Sequence, residues 1–290
     1  MSFYLAAVLQ ALCLGPLVLG VYLTMKVFRF PDITADGSYT LGAVVTAIGL
    51  VNGWSLWWCI PLVVLSGAIA GICSAWIHNR IKVNLLLAGI LVMTALYSVN
   101  LSILGRSNVP LLQYGTLFNW LTVFRTSDSN TLIIVTCILC LLISFMTYLL
   151  RTDFGLAMRA TGDNEQMLRA LGVNTARMKW IGLAIANGLV ALSGSLIAQF
   201  QGFADVNMGI GVMITGLGSV MIAESVVLLF GIKRIAFVLL AVISGMVLFQ
   251  LILAFSLSLG INPVMLKLVT ALIVLLAVSI PQLRVYGKRF

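Results

Sequence analysis

Hydrophobic residues fall along this chain in long blocks separated by short polar stretches. Charge-poor runs occur at about 4–25, 55–77, 84–104, 131–150, 180–200, 210–230, 235–257 and 264–281. Each approaches the ~20 apolar residues that a helix needs to cross a hydrocarbon core about 30 Å thick. A ninth run, 38–51, is shorter and begins inside the polar stretch FRFPDITADGSYTLGA, residues 28–43. The pattern predicts an all-α polytopic membrane protein with about nine transmembrane helices, forming a single domain over 1–290. Composition agrees, with 61% hydrophobic and 9% charged residues among 290, a balance foreign to soluble domains of this size. The first run lacks a basic leader and a small-residue cleavage site and is followed by further spans, so it is expected to be a retained helix.

Two polar interruptions resemble each other. FPDITADGSYTLGA at 30–43 and FADVNMGIGVMITG at 203–216 share Phe-x-Asp-[Ile/Val] and then a glycine-containing entry into an apolar helix. Their positions after spans of similar length suggest inverted repeats over about 4–104 and 180–281, with 131–150 as an extra crossing. Short cytoplasmic loops collect Lys and Arg. Placing 151–179 inside also places Lys26, Arg29, Arg80, Lys82, Lys233, Arg234, Arg284, Lys288 and Arg289 inside, 14 of the 17 basic residues in all. Arg106, Arg125 and Lys267 fall on the other side. The N-terminus is then outside and the C-terminus cytoplasmic, and the positive charge reflects topology rather than a nucleic-acid surface.

The largest interruption, Arg151–Lys179, intersperses Met158, Met167, Leu168 and Leu171 with Arg159, Asp163, Glu165, Arg169 and Arg177. This suits short amphipathic helices at the membrane surface. Asp163 or Asn164 can start such a helix with Glu165 in its first turn, and Gly172 with Val173-Asn174 can stop it.

Polar residues at membrane depth are costly unless they face a cavity or a partner, and so mark a possible substrate path. Glu224 reads either as a pore-lining or gating carboxylate or as the partner of Lys233, Arg234 or another helix end. In the opening stretch Pro31 interrupts a helix, Asp32 or Thr34 can cap the next, and Gly37 with Gly42 permits close backbone approach. Asp32, Thr34, Asp36, Gly37, Asn100, Asp205 and Glu224 are the candidates for the translocation path or gate. Asn187 and Gln199 are weaker, since amides often only bridge helices. Met93, Tyr97, Phe118 and Trp120 could accompany an aromatic solute. The stretch 106–130 is expected to contain an amphipathic segment on the outer surface and to be a docking place for a partner there. Gly67, Gly71, Gly188 and Gly194 suit close helix packing.

The five cysteines lie in or beside apolar runs, and C-x-x-C at 137–140 has no nearby histidine or carboxylate, so small apolar packing is expected. His78 is the only histidine, expected at an inner helix end. No metal site, catalytic pair or nucleophile with base is seen.

The segment FGLAMRATGDN followed by ALGVN, Arg177 and Lys179, within Phe154–Lys179, resembles the cytoplasmic coupling segment of ABC importer permeases of the branched-chain amino-acid and ribose type. FPDITADGSYTLGA, with LLLAGILVMTALYSVNL at 85–101, resembles a subgroup linked to tryptophan or tyrosine uptake. The resemblance runs through nearly the whole chain. It implies a permease subunit of an ABC importer, working with a cytosolic ABC ATPase, an extracytoplasmic binding protein and a second permease copy in the cytoplasmic membrane. It also implies that Arg159, Asp163, Asn164, Glu165, Met167, Leu168, Arg169, Leu171 and Gly172 form the ATPase-coupling surface, with Met167, Leu168 and Leu171 as apolar anchors.

No G-x-x-x-x-G-K-[ST] occurs, so no cofactor is expected on this chain, and ATP and Mg are expected on the partner ATPase. An ion-coupled secondary transporter with inverted repeats is the alternative; for a nontransporting scaffold nothing specific speaks.

Overall fold

The structure, a computed structural model, describes residues 3–120, 127–262 and 265–287. Arg125, Lys288 and Arg289, which enter the charge tally, lie outside the described residues. The chain is almost entirely helical. The first run forms α1 (Phe3–Cys13), α2 (Gly15–Tyr22) and a π-helical turn over Leu23–Val27. It is bent by 43° rather than straight. Pro16 accounts for the break, because it cannot donate to the preceding turn.

After the polar stretch come α3 (Thr34–Val51), α4 (Leu56–Ile81) and α5 (Leu85–Leu104). Strand β1 (Asn108–Pro110), α6 (Leu117–Trp120) and α7 (Ser127–Arg151) follow. Two short helices, α8 (Asp153–Asp163) and α9 (Glu165–Ala170), lead into the long α10 (Thr175–Gln201). Strand β2 (Phe203–Asp205), α11 (Val212–Phe230), α12 (Ile235–Ser258) and α13 (Leu266–Gly287) complete the fold.

Among the described residues six helices are long and apolar enough to cross a membrane, α4, α5, α7, α10, α11 and α12. The bent α1–α2 unit makes a seventh if taken as one span. Seven of the nine expected runs fall on these helices, and the other two fall on α3 and α13. The run at 38–51 lies in α3, whose first turns are polar and which is walled in by protein, and α13 carries a shorter apolar stretch, Leu266–Ala277, among the described residues.

Helix α10 is the axis of the molecule. Of its apolar stretch 83% is buried, against 33%, 22% and 33% for those of α4, α5 and α11. It packs chiefly on α4 and α3 and then on α2, while α1 and α2 pack on α12 and α11. Outward-facing Trp57, Trp58, Leu65, Leu141 and Phe230 leave a broad apolar surface, as lipid requires.

Close approach of α3 and α10 depends on two glycines. A Cβ at Gly42 would overlap the Ala191 carbonyl, and one at Gly194 would overlap the Tyr39 carbonyl. Gly67 and Gly71 likewise abut backbone carbonyls of Asn187 and Leu183, as expected of packing glycines.

Strands β1 and β2 pair antiparallel, Val109 opposite Ala204. This ribbon was not foreseen. It pins 106–111 to the end of α10, where Val109 and Leu111 are buried and the Leu117 N–H donates to Gln199 Oε1 at 2.9 Å. The stretch expected to contain a surface segment is thus tied to the bundle at Val109, Leu111 and Phe118, while Leu112 between them is 83% exposed; residues 121–126 lie outside the described residues. All five cysteines are free thiols, Cys13 and Cys59 buried and Cys73, Cys137 and Cys140 exposed.

Candidate functional site

The polar stretch after the π-helical turn lies inside the bundle, not at its edge. Helix α10 has 27 residues and so spans about 40 Å. Asn187 stands at its middle, and there its Nδ2 donates to Asp32 Oδ2 at 2.7 Å. Ser38 Oγ donates to Asn187 Oδ1 at 2.7 Å, the Thr34 N–H to Asp32 Oδ1 at 3.0 Å, and the Thr34 and Ser74 hydroxyls meet at 2.6 Å. Every member of this knot is buried. Asp32 therefore tethers the start of α3 to α10, and Thr34 tethers it to α4 through Ser74. In this conformation it is closed off from any solute.

Asp36, one turn further on, crosses to the second break. Its carboxylate accepts the Gly211 N–H at 2.9 Å and the Met213 N–H at 2.7 Å. The negative charge thus sits on the N-terminus of α11, where unpaired N–H groups and the helix dipole favour it. The polar breaks before α3 and before α11 meet in the protein interior.

Beside them Asp36, Gly37, Met93, Tyr97 and Asn100 line a cleft of about 40 Å³. Asn100 Nδ2 donates to the Gly37 carbonyl at 3.3 Å, and its Oδ1 is buried without a protein partner. That volume admits a water rather than a solute. Asp205 stands apart from this cleft. It shapes its own turn, with Oδ1 accepting the Asn207 N–H at 2.7 Å, and receives Asn108 Nδ2 at 3.3 Å.

Glu224 pairs with Lys26, not with Lys233 or Arg234. Lys26 belongs to the π-helical turn, so a cation expected in an inner loop is instead packed against α11. A cavity of about 180 Å³ opens at this pair. At the ribbon end, a wider cleft of about 320 Å³ is lined by Tyr114, Phe118, Gln199 and Phe200 among others.

The segment between α7 and α10 is fastened by local chemistry. Thr152 caps α8, accepting the Gly155 N–H. Asn164 caps α9, accepting the Met167 N–H at 3.0 Å, with Glu165 in the first turn. Gly172, at φ +82°, ends it, and the Val173 N–H closes back on the Leu168 carbonyl at 3.1 Å, as in a Schellman stop. Asn174 then caps α10.

Glu165 is the hub. Its Oε1 receives Arg169 Nη2 at 2.6 Å and Thr175 Oγ1 at 3.1 Å, and its Oε2 receives Lys179 Nζ at 2.9 Å. Lys179 Nζ also donates to His78 Nε2 at 3.1 Å, while His78 Nδ1–H donates to the Val83 carbonyl at 2.7 Å. Helix α9 is thereby strapped to the start of α10 and the end of α4. Arg159 donates to the Leu150 carbonyl at 2.8 Å. Asp163 pairs with Arg29 at 2.6 Å, an exposed contact of small energetic weight.

The three apolar anchors expected at α9 and its C-cap do not face one way. Leu168 is buried in its own chain, whereas Met167 is 62% and Leu171 69% exposed. Met167 and Leu171 alone are free to meet a partner.

Burial by itself would raise the Glu165 carboxyl, but hydrogen bonds from Lys179, Arg169 and Thr175 outweigh it and hold it below the ordinary carboxylate range. A carboxyl lowered in the fold stabilises it fully above its unfolded value, about 4.3. That stabilisation is lost as pH falls through the folded value. Protection factors for amide exchange over 165–174, taken against the intrinsic rate at each pH, are therefore expected to be fully developed above the ordinary Glu value of about 4.3 and to fall below it. Glu165→Gln is expected to show the lowered protection already at neutral pH.

Sequence reasoning missed Lys26, Ser38, Ser74, Thr175 and Lys179, and ranked Asn187 low. Lys26 carried a usable signal, since four residues separate it from Pro31 and leave room for a last helical turn.

The comparisons with known proteins agree with this architecture. The tyrosine transport system permease protein of Clostridioides difficile (strain R20291) is 38% identical over 291 residues, covering 100% of this chain and 95% of the relative. An uncharacterized protein of Rickettsia prowazekii (strain Madrid E) is 34% identical, covering 96% of this chain and 98% of that one. A solved inward-facing structure of an ABC transporter assigned to the metal-chelate type superposes with a TM-score of 0.52 at 16% identity, over 98% of this chain and 85% of that one, which speaks for the fold alone. The profile of the family described as the permease component of the branched-chain amino acid transport system matches residues 3–279. With that match over almost its whole length, the chain belongs to this family of ABC transporter permeases.

Proposed function

We propose that this permease forms the pore of a binding-protein-dependent importer for amino acids, with aromatic ones preferred. The observation that carries the coupling half of this reading is α9. It is held rigidly from behind by Glu165, Lys179 and His78, yet it turns two large apolar side chains, Met167 and Leu171, outward. A cytosolic ABC ATPase seated there would move α10 and α4 with it. ATP and Mg would act on that partner, and this chain would supply no nucleotide chemistry. Orientation follows from the basic residues: α8 and α9 cytoplasmic, the ribbon end facing an extracytoplasmic binding protein, the N-terminus outside and the C-terminus inside a bacterial-type cytoplasmic membrane. A second permease copy would complete the pore.

Two internal halves in inverted orientation support alternating access. Asp32 and Asp205, equivalent in the repeated Phe-x-Asp motif, make the same turn, each Oδ1 accepting the N–H two residues on. The first helical unit of each half packs against helices of the other half.

The substrate class rests on the tyrosine transport permease among the relatives. It is tested by measuring ATPase activity of the permease–ATPase complex in nanodiscs with its binding protein, across tyrosine, tryptophan, leucine, ribose and a nucleoside. Aromatic amino acids are expected to stimulate. Stimulation by the sugar or the nucleoside alone would replace the substrate class.

A further inference from the structure

We infer that the cavity at Lys26 and Glu224 is a binding site for the zwitterionic head of an amino acid, Lys26 taking its carboxylate and Glu224 its ammonium. The inference rests on the amino-acid reading above and deepens it.

The walls of this roughly 180 Å³ cavity are Tyr22, Val220, Val227, Val238 and Val242, and its charges are one cation and one anion. Its volume falls below the ~300–1,000 Å³ of drug-sized ligand sites, which suits a single small solute. Each partner of the ion pair can be replaced by the matching end of a zwitterion. A neutral pair receiving a neutral zwitterion adds no net charge at membrane depth, where an unpaired charge is costly. A bare anion or cation would leave one protein charge without a partner. Lys26 and Glu224 side chains are 33% and 31% exposed, so neither is locked in place by packing, and both are long enough to part.

Lys26 rides on a π-helical turn, a feature that recurs at functional sites. Tyr22 offers a ring to an aromatic substrate. The site lies between the buried knot at Asp32 and the α8–α9 end, with Phe28, just beyond the π-helical turn, packed at Gly182 of α10.

The test is ATP-driven uptake of labelled tyrosine and alanine by the full complex in proteoliposomes. The swap Lys26→Glu with Glu224→Lys keeps an ion pair but reverses its polarity, turning a bound amino acid end for end. The swap is expected to insert normally and to lose more than tenfold of tyrosine uptake. Wild-type uptake in the swap would overturn the site and leave the importer reading intact. Should the swap fail to fold, Val238→Trp, which adds bulk at a residue lining the cavity, is expected to stay inserted and to lose uptake of both tyrosine and alanine, and unchanged tyrosine uptake in that variant would overturn the site. Wild-type complex that takes up neither amino acid would instead overturn the amino-acid reading itself.

Discussion

Gly42→Ala is expected to destroy the folded permease. The added Cβ would overlap the carbonyl oxygen and carbon of Ala191, backbone atoms of a helix that cannot rotate aside. Helices α3 and α10 would have to separate, and the bonds from Asn187 to Asp32 and from Ser38 to Asn187, both 2.7 Å, would stretch with them. Overpacking alone costs about 1–3 kcal/mol. Leaving a buried carboxylate short of a donor adds about 1–3 kcal/mol or more. The expected outcome is little or no monodisperse protein after detergent extraction. Gly194→Ala should do the same from the facing helix, through Tyr39. Gly115→Ala, where nothing lies within 4 Å, is the matched control and should behave as wild type. Normal yield and melting of Gly42→Ala would show that the α3–α10 contact is looser than described.

The same contact explains why the paired breaks are stable inside a membrane protein. Irregular backbone at membrane depth is tolerated only where protein satisfies it. Here Asp32 satisfies the first turn of α3 and Asp36 that of α11. These two aspartates, chosen from the sequence as gate candidates, thus fix the positions of two helix starts. If α3 and α11 move relative to one another during transport, Asp36 is the link that must move with both.

Much of the architecture was legible in the sequence because it depends on local chemistry. The apolar runs mark the helices, and Asn164, Glu165 and Gly172 mark the start and end of α9 at the residues where they fall. What was not legible depends on which helices meet. Nothing local says that Asp36 will reach Gly211, 175 residues away, or that Glu224 will select Lys26 over Lys233. Depth is equally hidden. A polar stretch between two apolar runs reads as a surface turn, and only the bond to Asn187 places it halfway along α10. Helix α9, with six residues, is too short for periodicity to separate buried Leu168 from exposed Met167 and Leu171. The ribbon of β1 and β2 was missed for another reason: three-residue strands carry almost no alternation to detect.

The inward turn of Leu168 determines how coupling should be probed. A charge there would disturb the chain's own packing, and reversal of Arg169 would disturb Glu165. Met167→Asp with Leu171→Asp instead alters only exposed side chains and leaves the caps, the Glu165 hub and the α9 stop in place. Two aspartates in a desolvated apolar contact are strongly unfavourable, so the double variant is expected to separate ATP hydrolysis from transport without changing insertion or melting.

The most direct measurement is therefore ATP hydrolysis and substrate uptake recorded together, in proteoliposomes carrying the permease, its ATPase and its binding protein. In wild type, uptake should rise in proportion to ATP hydrolysed and be indifferent to an imposed proton or sodium gradient. In Met167→Asp/Leu171→Asp, uptake should fall more than tenfold while the permease remains inserted and stable. Uptake in the double variant equal to wild type, or wild-type uptake that follows an ion gradient without ATP, would contradict the account.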